Sequence, residues 1–164
     1  ESSSSPEVKF VNEMNKMARD LGLSETYFLN QSGLDVTETL SGGYGSARDT
    51  AILVDHILKV KPHLLEATTF DKIIIASKDK THEATNTNKA IPSIPNILGS
   101  KTGFTDLSGG NVVVAWNAGI DRPIIIAVLG SSYDGRFTDL SKLVDATLKY
   151  FSNSSTTVSI PQQI

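Results

Sequence analysis

Three strongly apolar segments crowd the second half of this chain: Ile97 to Thr102, Asn111 to Trp116 and Pro123 to Leu129. They are rich in β-branched residues and are bounded by turn chemistry. Gly109-Gly110 leads into the second segment, and Asn117-Ala-Gly-Ile-Asp121 joins the second to the third. Strands that follow one another across short turns pair antiparallel, so the pattern predicts a meander. A further strand at Lys72 to Ala76 is expected to belong to it.

Helical periodicity lies on either side of these strands. Phe10, Met14, Met17 and Leu21 recur at three- and four-residue spacings, and Gly22 stops the helix they define. Ser46 followed by Asp49 is a capping-box-like start for a second helix that ends before Pro62. A third covers Leu140 to Phe151. Helices first, then adjacent strands, then a closing helix point to an α+β fold rather than the alternation of a doubly wound sheet.

At 164 residues with 39% apolar and 20% charged side chains, the chain can bury a core of its own. Polar ends are predicted at residues 1–6 and 154–164, flanking a folded unit at 7–153. The net charge of -3, without a block of like charge, argues against binding nucleic acid through phosphate neutralisation. Between Lys59 and Lys101, seven lysines face four acids, a local excess that suits either an anionic ligand or a solvated surface. The absence of cysteine excludes disulfides, Cys-based zinc sites and thiol nucleophiles. The longest apolar run, Ile124 to Leu129, is far short of the ~20 residues of a membrane helix, and the first six residues do not read as a signal peptide.

The sharpest short motif is Lys101-Thr102-Gly103. On a strand with an apolar lead-in, it offers one ligand a cation, a hydroxyl and a bare backbone. A solvated lysine at a strand end is the competing reading. A phosphate-binding loop is excluded, because Ser100 rather than glycine precedes Lys101. His56, His63 and His82 are scattered, so no metal site and no cofactor are expected. The single Ser-x-x-Lys string, Ser77-Lys-Asp-Lys80, sits in a polar turn. That setting does not desolvate a lysine enough to make it a base, so Ser77 is rejected as a nucleophile.

Longer strings add to this motif. They are Phe10-Val-Asn-Glu-Met-Asn15 with Ala18 and Leu21-Gly-Leu23, Ser32-Gly-Leu-Asp35, Ser46-Ala-Arg-Asp49, Gly99-Ser-Lys-Thr-Gly-Phe-Thr-Asp106, Gly110-Asn111, Val128-Leu-Gly130 and Arg136. In this order and spacing, from Val8 to Phe151, the chain resembles the penicillin-binding D-alanyl-D-alanine carboxypeptidases of the serine peptidase S11 family.

The resemblance implies a β-lactamase-like, DD-peptidase fold, here a partial domain, with an antiparallel sheet and packed helices. It also implies removal of the terminal D-alanine from peptidoglycan stem peptides through an acyl-serine intermediate. Ser-x-x-Lys supplies nucleophile and base in that chemistry, Ser-x-Asn assists proton traffic, and Lys-Thr-Gly binds and polarises the substrate. By position, Lys101 would contribute charge, Thr102 would hold the substrate carboxylate beside the bare Gly103, and the backbone N–H of Phe104 would serve an oxyanion hole. Many relatives carry His at the position of Phe104. Arg136 would assist carboxylate recognition, and Arg48, Gly33 and Leu34 match motifs near the cleft.

No Ser-x-Asn occurs in the sequence. The chain is therefore expected to correspond to the substrate-binding half of the peptidase domain, following both missing motifs, and to be inactive alone. Association with the missing half or with another copy is expected. In a complete enzyme the partners would be stem peptides and β-lactams, in the bacterial cell envelope. A non-catalytic module of the same fold, binding peptidoglycan or a partner protein, is the alternative.

Overall fold

The computed structural model describes residues 5–155. The Ser5 hydroxyl accepts from the N–H of Val8 and opens α1 (Pro6–Asp20), whose proline takes a position where no amide hydrogen is needed. Gly22 closes it at φ +70°, donating to the Arg19 carbonyl at 2.9 Å while Leu23 donates to Ala18. Two short strands, β1 (Tyr27–Phe28) and β2 (Gly43–Tyr44), pair antiparallel. The buried Asn15 amide ties α1 to β1 by bonding both backbone groups of Phe28, at 2.8 and 2.7 Å.

Ser46 caps α2 (Ala47–Val60) by accepting from Asp49 N–H at 3.2 Å. Two 3-10 turns follow, Pro62–Leu64 and Glu66–Thr69. A hairpin of β3 (Lys72–Ala76) and β4 (Thr81–Thr85) comes next, then a third 3-10 turn at Ile91–Ser93. The chain then builds β5 (Ile97–Thr105), β6 (Gly109–Asn117) and β7 (Pro123–Ser131), and closes with α3 (Gly135–Ser155).

β6 is the middle strand of the antiparallel order β5-β6-β7, and its continuous apolar run is explained by burial on both faces. Val112, Val114 and Trp116 face α3, meeting Leu140 and Val144 together with Ala90, Ile94 and Ile126. Val113 and Ala115 face the opposite way, against Val54 and Leu58 of α2. The result is a sheet between two helical layers. Trp116 and Leu140 are almost wholly excluded from water, and burying each stabilises the fold by about 1.5–3 kcal/mol.

Gly109 and Gly110 let the start of β6 approach the end of β7. A Cβ at position 110 would lie 2.2 Å from the Ser132 carbonyl oxygen. The Asn111 side chain closes the same junction, accepting from Gly130 N–H at 2.9 Å while donating to the Gly109 carbonyl. This contact sets where the chain turns from β7 into α3, and so where Arg136 emerges.

Three expectations are corrected. Lys72–Ala76 does not join the meander: it pairs with β4 in a separate two-stranded hairpin, leaving three strands in the main sheet. β4 reads Thr-His-Glu-Ala-Thr and is exposed along its whole length, so burial imposes no alternation on it for a sequence pattern to report. The closing helix begins at Gly135 rather than Leu140, because the Ser132 hydroxyl accepts from Gly135 N–H at 3.0 Å and starts the turn earlier. It also runs through Ser154 and Ser155, the first residues of the predicted tail. Residues 1–4 of the predicted polar end and 156–164 of the tail lie outside the described residues. Among the described residues no helix is long and apolar enough to cross a membrane.

Candidate active site

β5 is an edge strand, and its backbone polarity defines the site. Ser100 donates its N–H away from β6, to the Thr68 hydroxyl at 2.9 Å. From Ser100 to Thr105 the register with β6 runs unbroken, and backbone groups on an antiparallel strand alternate between its two edges. Thr102 and Phe104 therefore present their N–H and C=O groups on the same outer edge as Ser100. The 3-10 turn Glu66–Thr69 covers that edge only at the Ser100 end. Further along, a cleft of about 1030 Å3 opens, lined by Lys101, Thr102, Gly103, Phe104, Tyr133 and Arg136.

The side chain of Lys101 is exposed and folds over the edge, so that its ammonium donates to the carbonyl of Thr102. Thr102 points to the opposite face and is 9% exposed. Two residues on, Phe104 lies on the Thr102 face and meets Tyr133 edge-on, with ring centroids 5.1 Å apart.

Arg136 reaches this face from the first turn of α3. It is 4% exposed, its Nη1 donates to the Gly103 carbonyl at 2.6 Å, and its guanidinium lies over the rings of Tyr133 and Phe137. Its Nε finds no acceptor among the described residues. Among the described residues neither Arg136 nor Lys101 forms an ion pair. A buried guanidinium without a counter-ion is expensive to maintain, and a carboxylate bound in the cleft would offset that desolvation. Two cations, a hydroxyl and outward N–H groups on one strand edge can bind a carboxylate and polarise a neighbouring carbonyl.

The other residues singled out from the sequence separate into two groups. Gly33 and Leu34 line the cleft, in a loop held to the β5–β6 turn where Asp35 accepts from Leu107 N–H at 3.1 Å. Arg48 is not part of the lining. Its side chain is 70% exposed and lies 3.5 Å from Asp49, which is itself fully buried and accepts from Glu25 N–H and the Thr26 hydroxyl. Ser77 is also away from the cleft, in the exposed β3–β4 turn. There its hydroxyl lies 3.0 Å from both the Lys80 carbonyl and the His82 ring.

Sequence reasoning overlooked Thr87, Tyr133 and Asp49 as cleft-lining residues. Thr87 sits inside Asn86-Thr87-Asn88, a polar string that reads as a loop. Its flanking asparagines are residues that fix backbone turns, and they were the available signal.

The antiparallel sheet between helices, with Lys-Thr-Gly on its cleft-side edge strand, defines a penicillin-binding DD-peptidase fold. The sequence model described as D-alanyl-D-alanine carboxypeptidase, peptidase S11, matches residues 1–133, and the chain belongs to that family. D-alanyl-D-alanine carboxypeptidase DacF of Bacillus subtilis is 32% identical over 142 residues, covering 87% of this chain and 36% of the relative. DacA of Haemophilus influenzae is 33% identical over 141 residues, covering 82% of this chain and 33% of its own length. Among solved structures, penicillin-binding protein D2 of Listeria monocytogenes in its cefotaxime-bound form superposes with a TM-score of 0.72 at 32% identity. That match covers 83% of this chain and 53% of the Listeria chain. The chain thus spans about a third of the length of the curated relatives it matches.

Proposed function

We propose that this chain provides the substrate-binding half of a serine-type D-Ala-D-Ala carboxypeptidase, which removes the terminal D-alanine of peptidoglycan stem peptides. The observation that carries the reading is the buried guanidinium of Arg136, without an ion pair among the described residues, lining one cleft with Thr102 and Lys101 of the edge strand β5. The terminal carboxylate of the peptide sits against Arg136 and the Thr102 hydroxyl. The ammonium of Lys101 draws the anion in and stabilises charge that develops as the scissile carbonyl is attacked. The outward N–H of Phe104 is one oxyanion-hole donor, and Gly103 leaves room for the peptide to lie along the strand. Gly33 and Leu34 border the same cleft, whereas Arg48 acts at most through Asp49.

The acylating serine and its lysine base come from protein outside these 164 residues. Ser77 has neither an apolar setting nor a place in the cleft, which supports its exclusion. A β-lactam carries a carboxylate next to a strained acyl group and so fits the same groove, in line with the cefotaxime-bound Listeria relative. The substrate places the work of the complete enzyme outside the cytoplasm, in the bacterial envelope.

The test is covalent labelling with a fluorescent penicillin. The 164-residue chain is expected to remain unlabelled, whereas the natural polypeptide that joins it to a Ser-x-x-Lys segment is labelled at that serine. An adduct mapped to Ser77 in this chain would overturn the division of labour. Failure of the longer polypeptide to label would favour the non-catalytic binding module.

A further inference from the structure

Thr87 belongs to none of the motifs that mark the site, yet its hydroxyl oxygen lies 2.6 Å from that of Thr102. Two hydroxyls at this distance share one proton between them, so the pair keeps a single proton for any further acceptor. Thr87 lines the main cleft and also a smaller hollow of about 250 Å3 bordered by Phe70, Ile73 and Ala84; Lys101 and Thr102 are common to both.

The segment carrying Thr87 is held on both sides. Asn86 Nδ2 donates to the carbonyls of Thr68 and Phe70, each at 3.0 Å, and its Oδ1 accepts from Asn88 N–H at 2.9 Å. Asn88 is fully buried and accepts from Ala90 N–H at 3.0 Å. Lys89 then pairs with Asp134 at 2.9 Å, tying the segment to the β7–α3 junction that also bears Arg136. A threonine on an exposed loop ordinarily samples several rotamers. Here its neighbours fix the backbone and Thr102 supplies the partner.

We propose that Thr87 is a positioning residue for carboxylate recognition. Its hydroxyl donates to Thr102 Oγ1, which leaves the Thr102 proton directed at an anionic oxygen held between Arg136 and Lys101. The direction follows from charge. The anion is drawn to the Thr102 end of the pair by the two cations, and it polarises the chain Thr87 to Thr102 to carboxylate so that each bond strengthens the other. A carboxylate only accepts, whereas a C-terminal amide also presents donors. With Thr102 Oγ1 already accepting from Thr87, the site favours the acid over the amide.

This inference rests on the reading of the cleft as a site for carboxylate-terminated peptides, and the experiment separates the two. The full natural polypeptide carrying these residues is titrated with a stem-peptide analogue whose scissile amide is replaced by a ketomethylene link, as free acid and as C-terminal amide. Wild type is expected to prefer the acid. Thr87→Val should lower that preference by about tenfold, while Thr87→Ser retains it. A Thr87→Val protein with the wild-type ratio overturns the role of Thr87 and leaves the carboxylate reading intact. A wild type that does not distinguish acid from amide overturns both.

Discussion

Arg136 donates from Nη1 to the carbonyl oxygen of Gly103 across 2.6 Å, so the first turn of α3 is bonded to the Lys-Thr-Gly strand itself. The same guanidinium covers the rings of Tyr133 and Phe137. One side chain therefore serves packing and, on the proposed reading, ligand recognition, and its replacement should affect both. Arg136→Ala is expected to destabilise the fold by about 1–3 kcal/mol, through the lost hydrogen bond and ring contacts, and to weaken binding of acyl-D-alanine acids. Urea unfolding and a peptide titration read the two effects. Unchanged affinity would remove Arg136 from the site.

Lys101 should separate them. Its side chain is exposed and has no ion pair among the described residues, so Lys101→Ala is expected to change stability by no more than about 0.5 kcal/mol. In the acylating polypeptide the same change should slow penicillin acylation by orders of magnitude, since charge develops where the ammonium sits. Acylation at the wild-type rate would reduce Lys101 to a surface residue.

Asp49 is a structural prediction. It is fully buried and accepts from Glu25 N–H at 2.8 Å and from the Thr26 hydroxyl at 2.9 Å, which fixes the loop after α1 to the start of α2. Asp49→Ala strands both donors and is expected to cost about 3 kcal/mol. A midpoint within error of wild type in urea would contradict this.

Lys89 has its pKa held above the ordinary lysine value, first by its hydrogen bond to Asp134 and then by the charge of that carboxylate. A raised folded value means that the pair's contribution is complete below the unfolded lysine pKa of about 10.4 and is lost as pH rises through the folded value. NMR titration of the Lys89 side chain should show the elevated value in wild type and a lower one in Asp134→Asn. Identical titrations would argue that the tie does not persist in solution.

The strands of the main sheet were legible because β6 and its neighbours must be apolar to be buried between α2 and α3. The end of α1 and both ends of α2 were legible because Gly22, Ser46 and Pro62 act on the backbone within a few residues of themselves, whereas the start of α3 depends on Ser132, which the apolar stripe from Leu140 onward does not report. The Lys101-Thr102-Gly103 motif was legible through its surroundings. The β3–β4 pairing was hidden because β4 is exposed along its whole length, and an exposed strand leaves no periodic trace.

Sequence alone determined the fold class, the strand that bears the Lys-Thr-Gly motif and the residue types on offer, since these depend on local pattern and chain order. Only the tertiary structure decided which side chains meet. It brought Arg136 and Thr87 to one face of β5 and left Arg48 beside Asp49 outside the cleft. Contacts such as Arg136 to Gly103 and Thr87 to Thr102 join segments far apart in the chain. Their geometry is set by how helices and loops pack on the sheet, which the spacing of residues along the chain does not encode.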